Sequence, residues 1–553
     1  MKSWKNVIAG VTAVLMTISL TACGSGSADA TTEGSQGIPT EAALSGEPLE
    51  LTLTINAEVT TLDGSLMTYA NDMMVFTNTQ TGLYAYDENG ELGLGLAESV
   101  DISEDGMTYI YTLKDATWSD GTPITADDFE FSWKRLGDPQ TGSAYGTMVY
   151  VAGIKNAADI YFNGADIETL GVTAIDDKTL KVELERPVPY LPSLLTGSYF
   201  MPINREFCLA QGDQYGLTKD AVMYSGAFTI SEWVPGGTTV VLTKNPNYYD
   251  AENVTVDKIT FETIKDNQQM IMSWESQEVD QISISGDLVS QYADDPAYVP
   301  VSSTMVIYMT PNMLTPGLDN LNMRKALALC FDKQAICDSI LKNGSYVADY
   351  FVAKDFAADE NGVFFRDAAN ATYLETDKEA AREYYDKACE ELGQDTFTFE
   401  ILYTDTEANR NICQFLQSEI QTTLPGVTIT LKPQTSKGKS ELAKAHDFDI
   451  ILGGWGADYQ DATTYLDLFT SVNTPNSSWQ NDEYDALMDA VSGELAGDNQ
   501  ARIQNMIKAE SILLNDAAIF PMYQQANSYL INPELNVPRS TTGSFLWRFA
   551  TRK

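Results

Sequence analysis

Apolar side chains at Leu51, Leu53 and Ile55 alternate with threonines, the two-residue period of a strand that buries one face. From Val100 to Leu113 the same period recurs on both sides of Asp105-Gly106, which predicts a hairpin. The period then lengthens. Phe129, Trp133 and Leu136 share one face of a helix that Thr125 caps and whose first turn holds Asp127 and Asp128, where the helix dipole favours acids. Further on, a strand over Ile259–Ile264, a helix about Met270–Glu275 and a strand over Glu278–Ile282 follow in turn. Met323 to Ile340 keeps helical spacing with a break at Asp332, which is suited to cap a second helix. Thr376 and Glu379 have the spacing of a capping box, and Gly393 ends the helix they open. Strands over Phe397–Tyr403 and Val427–Leu431 flank a helix near Ile412–Leu424, a βαβ pattern that runs on into Phe448-Asp449-Ile450-Ile451-Leu452. Helices from Asp482 to Val491 and from Asp498 to Leu514 precede a last apolar run, Ile519–Tyr523.

Such alternation of strands and helices over 553 residues calls for two or more domains. The first residues do not belong to the folded body. Lys2 and Lys5 precede an apolar run, Val7 to Leu20, that is too short to span a membrane and has the build of a secretory signal. It ends in Leu20-Thr21-Ala22-Cys23, which resembles the bacterial lipobox. That resemblance implies cleavage before Cys23, diacylglycerol on its thiol and a stable membrane anchor once two or more acyl chains are attached. Gly24 to Gly46, rich in Ser, Gly, Thr and Ala, reads as a flexible tether.

The remaining cysteines are Cys208, Cys330, Cys337, Cys389 and Cys413. Cys330 and Cys337 on one helix would stand about 10 Å apart, too far for a disulfide, and an odd, dispersed set suits small buried apolar residues. A formal charge of −44 repels phosphate backbones, so nucleic acid is excluded as a partner.

Catalytic and metal constellations are scarce. His446 is the only histidine and lies in a charged stretch, expected to face solvent, so a catalytic triad or a histidine-rich metal site has little to draw on. Asp101, Ser103, Asp105 and Gly106 half match a calcium loop, but Thr112 stands where a bidentate Glu is required. No cofactor is implied. The stretch most suited to a ligand is Gly453-Gly454-Trp455-Gly456-Ala457-Asp458-Tyr459-Gln460-Asp461, where a core strand ends in glycines and opens into an aromatic ring and an acid. Glycines admit close backbone approach, Trp455 offers a flat face, and Asp458 can pair with a cation.

The passage Trp118-Ser119-Asp120-Gly121-Thr122-Pro123 through Asp127-Asp128-Phe129 and Trp133-Lys134-Arg135 closely resembles the signature region of solute-binding protein family 5, the peptide-binding lipoproteins of bacterial ABC importers. The likeness continues through Arg186-Pro187-Val188-Pro189-Tyr190, Ser225-Gly226-Ala227-Phe228 and Lys244-Asn245-Pro246-Asn247-Tyr248-Tyr249. It implies an α/β, two-lobed, type II periplasmic-binding-protein-like fold with an additional domain inserted in the first lobe. The implied division is a signal peptide over 1–22, a lipidated tether over 23–46, lobe I over 47–83, 201–280 and 526–553, the inserted domain over 84–200, and lobe II over 281–525. It further implies a monomer that is not an enzyme, tethered to the outer face of the cytoplasmic membrane and delivering peptides to permease subunits of an ABC importer.

In the family pattern the aspartate of Trp-x-Ala-Asp-Tyr, here Asp458, meets the peptide's ammonium group. Trp455, Tyr459 and Tyr145 would wall the cleft, with Tyr69, Tyr523 and Gln525 as further candidates and Glu278 at the first crossing between lobes. One position departs. Some relatives carry an arginine three residues before the motif tryptophan, suited to a peptide's carboxylate, and this chain has Leu452. Lys437 or Lys439 are the candidate substitutes. The alternative ligand is another solute such as an oligosaccharide, stacked on Trp455 and Tyr459.

Overall fold

A computed structural model describes residues 48–359, 361–471 and 478–553. Cys23 and the expected signal and tether lie outside them. Strand β1 (Glu50–Ile55) buries Leu51, Leu53 and Ile55, as the alternation requires. A small hairpin, β2 (Tyr84–Tyr86) and β3 (Leu92–Leu94), leads into a four-stranded antiparallel sheet. Its strands are β4 (Ala97–Ile102), β5 (Thr108–Leu113), β6 (Val172–Asp176) and β7 (Thr179–Glu183), in the order β4-β5-β7-β6. The predicted hairpin is β4–β5. Asp105 serves its turn, accepting hydrogen bonds from Ser103 Oγ and the Met107 amide.

The large sheet continues with β8 (Phe228–Trp233), β9 (Thr239–Lys244), β10 (Lys258–Thr263) and β11 (Gln281–Ile284), then β12 (Tyr298–Pro311), β13 (Tyr346–Val347), β14 (Phe397–Thr404), β15 (Val427–Gln434), β16 (Ile450–Trp455) and β17 (Phe520–Ile531). With β1 it has eleven strands, ordered β15-β14-β16-β12-β17-β11-β1-β10-β9-β8 with β13 beside β17. A last pair, β18 (Leu535–Asn536) and β19 (Thr551–Arg552), closes the chain.

Two lobes share this sheet. β14, β15 and β16 are parallel, joined through helices Glu407–Thr423 and Ser436–Lys444, as the βαβ pattern predicts. On the other side, β1 pairs parallel with β10. The long antiparallel pair β12–β17 runs through both halves. Its register shifts between Ser302 and Val306, so that 303–305 bulge out where the lobes meet. Gln524 holds this bulge: its amide donates to the Ser303 carbonyl at 2.8 Å and to Ser302 Oγ at 3.3 Å. Just past the expected lobe boundary at 280, β11 pairs with β1 and with the end of β17.

One apolar core takes its members from 83–200, plus Met223 and Tyr459, and fills the inserted domain. The helix Ala126–Gly137 carries it. Thr125 and Asp128 form a capping box, and Phe129, Trp133 and Leu136 are fully buried. Trp133 donates its indole N–H to the Phe200 carbonyl at 2.8 Å, and Trp118 donates its own to Asp128 at 3.1 Å. The family-signature residues thus build the insert. Ser225-Gly226 is equally structural: a Cβ on Gly226 would stand 2.5 Å from the Gln80 backbone nitrogen, and Ser225 Oγ donates to Gln80 Oε1 at 2.8 Å. Arg135 donates a bidentate pair to Asp63, both at 2.6 Å, fastening the inserted helix to lobe I.

Local corrections have clear causes. Asp377, not Thr376, caps the helix Lys378–Leu392, because the Thr376 hydroxyl is engaged with the Phe331 carbonyl. His446 is half-buried, not solvent-facing; the chain turns there with φ 54°, and its Nδ1 is enclosed without a partner. Four of the five later cysteines are buried, with Cys389 half-buried, and none is bonded to another.

In lobe II, Glu510 is fully buried and accepts from the Phe351 and Val352 amides and from both terminal nitrogens of Arg366. Arg366→Met leaves that carboxylate charged in an apolar interior and is expected to cost about 3–5 kcal/mol. Urea unfolding of the folded body measures it.

Candidate functional site

The loop after β16 owes its course to small residues and two threonines. Gly454 packs so tightly on β12 that a Cβ would come 2.4 Å from the Ile307 side chain. Thr464 Oγ1 accepts from the indole N–H of Trp455 at 3.3 Å and from the Asp458 amide at 3.2 Å. Thr304, in the bulge of β12, accepts from the Ala457 amide at 3.1 Å. The loop is therefore tied to the place where the lobes join. Neither threonine carries a sequence signal that marks it for this task.

So held, Asp458 opens into a cavity of about 450 Å³ between the lobes. Gly82 and Tyr84 to Tyr86 of lobe I and the insert face it, Thr196 and Met201 line one part, and the C-terminal segment Thr542–Arg548 closes another. The volume lies within the range of small-ligand sites. Asp458 is open to the cleft while protein crowds it on its other sides, and this loss of solvation pushes its carboxyl up to about 6. It forms no ion pair and accepts no side-chain hydrogen bond among the described residues. Two stacked tyrosines, Tyr145 and Tyr199, 5.0 Å apart at 16°, lie near enough to feel its charge but do not line the cavity. Burial, reinforced by the Asp458 charge, raises the pKa of both phenols. Patterning singled out Tyr145 and not Tyr199.

Tyr459 does something else. It is 8% exposed and stacks on Tyr190 at 4.3 Å and 15°, inside the inserted domain's core. Next to it, the Gln460 amide donates to Ser193 Oγ and its side chain donates to Thr541 Oγ1, both at 3.2 Å. These contacts bind lobe II to the insert and the C-terminal segment. The other candidates scatter. Trp455 is half-buried against the lobe II core, and Tyr523, 5% exposed, lies within that core. Tyr69 stands 63% exposed at the start of the helix Ala70–Thr79. Glu278 is exposed just before β11, and Gln525 is half-buried with its amide on Asn527. None of these five lines the cavity around Asp458. The neighbour of Gln525 is the polar residue that matters structurally, since Gln524 braces the crossing.

Leu452, 3% exposed, points into the lobe II core. Lys439 reaches the Leu452 carbonyl at 2.6 Å, and burial lowers its pKa; Lys437 is exposed.

A receptor of two lobes, joined by crossing strands around a cleft, is the class this geometry defines. Residues 91–477 match the bacterial extracellular solute-binding proteins, family 5 Middle, and the chain belongs to that family. It is 30% identical to a dipeptide-binding protein of Lactococcus lactis subsp. cremoris (strain MG1363) over 527 residues, covering 90% of this chain and 95% of the relative. To the oligopeptide-binding protein OppA of Bacillus subtilis (strain 168) it is 28% identical over 557 residues, covering 97% of each. Among solved structures, Listeria monocytogenes OppA bound to peptide is similar at a TM-score of 0.76 and 31% identity, covering 92% of this chain and all of that one.

Two outcomes follow for these residues. A folded-state carboxyl held near 6 stabilises the fold only where it keeps its proton, so its contribution is full below the unfolded value and is lost as pH rises through 6. Asp458→Asn is thus expected to melt higher than wild type at pH 7.5 and alike at pH 3.5, as read by calorimetry. Tyr459→Ala removes the stack on Tyr190 and should enlarge the ligand-free radius of gyration in small-angle scattering.

Proposed function

We propose that the chain captures peptides outside the cytoplasm, in the cleft between its lobes, and delivers them to the permease subunits of an ABC importer. The observation that carries this reading is the Asp458 carboxylate, unpaired, crowded and open to the cleft. An ammonium group is the partner such a carboxylate lacks, and each free peptide carries one. Peptide names among the relatives support the same reading. In it, Thr304 and Thr464 position Asp458, and Tyr459 joins the lobes over the occupied site. Trp455 sets the loop's course through its bond to Thr464. The division into lobe I, insert and lobe II keeps its expected outline with the first crossing at 303–305.

The register break in β12–β17 supplies the hinge. Closure over a peptide needs no strict side-chain fit, because an extended backbone offers the same donors and acceptors in each sequence. The chain is taken to bind and release, not to cut. Export by residues 1–22 and lipid attachment at Cys23 would keep a monomer beside its permease at the outer face of the cytoplasmic membrane. A sugar ligand would want open aromatic faces at Trp455 and Tyr459, yet the first is packed against a core and the second is spent on Tyr190.

Asp458→Ala is expected to weaken peptide binding by about 2–5 kcal/mol while still folding cooperatively, and titration calorimetry measures it. In wild type the ligand must find Asp458 ionised, so affinity should hold above pH 6 and fall about tenfold per unit below it. Unchanged affinity in the variant removes the site assignment. Peptides recovered after long incubation should be intact by mass spectrometry.

A further inference from the structure

Asp458 shares its cavity with one cation. Arg548, in the C-terminal segment, lines the same space, and these two are the only ionised side chains among its lining residues. One terminal nitrogen of Arg548 donates to the Tyr86 carbonyl at 2.5 Å, and the guanidinium lies 4.6 Å from the centre of the Phe549 ring. Its Nε is enclosed without a hydrogen-bond partner. No carboxylate pairs with Arg548 among the described residues, and it does not touch Asp458. An acid and a base thus face one space of about 450 Å³ without neutralising each other.

Such an arrangement costs free energy, since each charge is partly desolvated without gaining a counter-ion. A molecule carrying both complementary charges at a set separation offsets both costs at once. Guanidinium is the group matched to a carboxylate, because its planar fork presents parallel N–H donors to two oxygens. The other basic candidates are occupied or misplaced: Lys439 is bonded to the Leu452 carbonyl, and Lys437 is out in solvent. β2, which among the described residues pairs only with β3, lines the same cavity with Tyr84, Ala85 and Tyr86. A short extended chain can lie along it.

We propose that Arg548 receives the C-terminal carboxylate of a short peptide whose ammonium group is met by Asp458. The ligand is then a zwitterion measured at both ends, and the protein selects by length as well as by free termini. This rests on the peptide reading of the cleft. It assigns the carboxylate to the C-terminal segment of the chain, closing on the lobe I and insert side, and not to the loop around Leu452.

Titration calorimetry on the folded body with alanine tri-, tetra- and pentapeptides tests it, each with a free or amidated carboxyl end and a free or acetylated amino end. In wild type the free acid of the best-fitting length should bind at least tenfold more tightly than its amide. Arg548→Gln should bind acid and amide alike, near the wild-type affinity for the amide, while still rejecting the acetylated peptide; Arg548→Lys should recover part of the difference. Equal binding of acid and amide by wild type overturns the proposal and leaves peptide capture standing, as does a variant that keeps the preference. Failure of each peptide to bind overturns the peptide reading itself. Thermal melts establish that the variants fold, and if Arg548→Gln does not, the acid and amide comparison in wild type decides.

Discussion

Two strands carry the architecture. β12 and β17 run antiparallel through both lobes, so that what would be two sheets is one, with lobe II strands on one side and lobe I strands on the other. A continuous ladder is stiff, and the break at 303–305 is where stiffness is given up. Gln524 ties the bulge across the pair, and Thr304 within it holds the Ala457 amide of the ligand loop. The same few residues therefore form the joint and anchor the site. In the proposed reading, movement of one lobe about this joint would carry the Asp458 loop with it, so that cleft closure and ligand contact would be a single event.

Several buried charges are matched: Glu510 by Arg366 and two amides, Asp461 by both terminal nitrogens of Arg502, Asp63 by Arg135. Such pairs order the interior without marking a ligand. Asp458 and Arg548 each lack a counter-ion among the described residues and line one shared space. Unpaired charge at a cavity is a cost to the folded protein that binding can recover, and it is a better pointer to the ligand than the aromatic rings are. Those rings serve packing first: Tyr199 and Tyr459, each 8% exposed, belong to the inserted domain's core, and Tyr523 belongs to that of lobe II.

Much of the fold was legible in the pattern of the chain. The alternation at Leu51, Leu53 and Ile55, the hairpin about Asp105-Gly106, the helix behind Thr125 and the parallel β14–β16 unit follow from local periodicity and caps, because those features report which face of an element is buried. Errors arose where a side chain was claimed from far away. Thr376 lost its cap to the Phe331 carbonyl, and His446 was drawn into a left-handed turn under the Asn312 side chain, which donates to its carbonyl at 3.1 Å. Glu278 was set at the crossing by the family resemblance alone, and the strand that follows it, β11, pairs with β1 and β17.

The opening of the site was likewise visible in one dimension. Glycines, a tryptophan and an acid at the end of a core strand identify Asp458, since a strand end must deliver its loop somewhere and an acid there has few structural reasons to exist. Family likeness raised that reading, though most of the matching motif residues turned out to hold the inserted domain together. What sequence alone determined was the set of elements, the two-lobed class and one charged residue of the cleft. Tertiary structure decided where the β12–β17 register breaks, and that Arg548, ninety residues further along the chain, lines the same space as Asp458. Periodicity records burial along one element; it holds no information about which distant charges are left without partners once the elements pack.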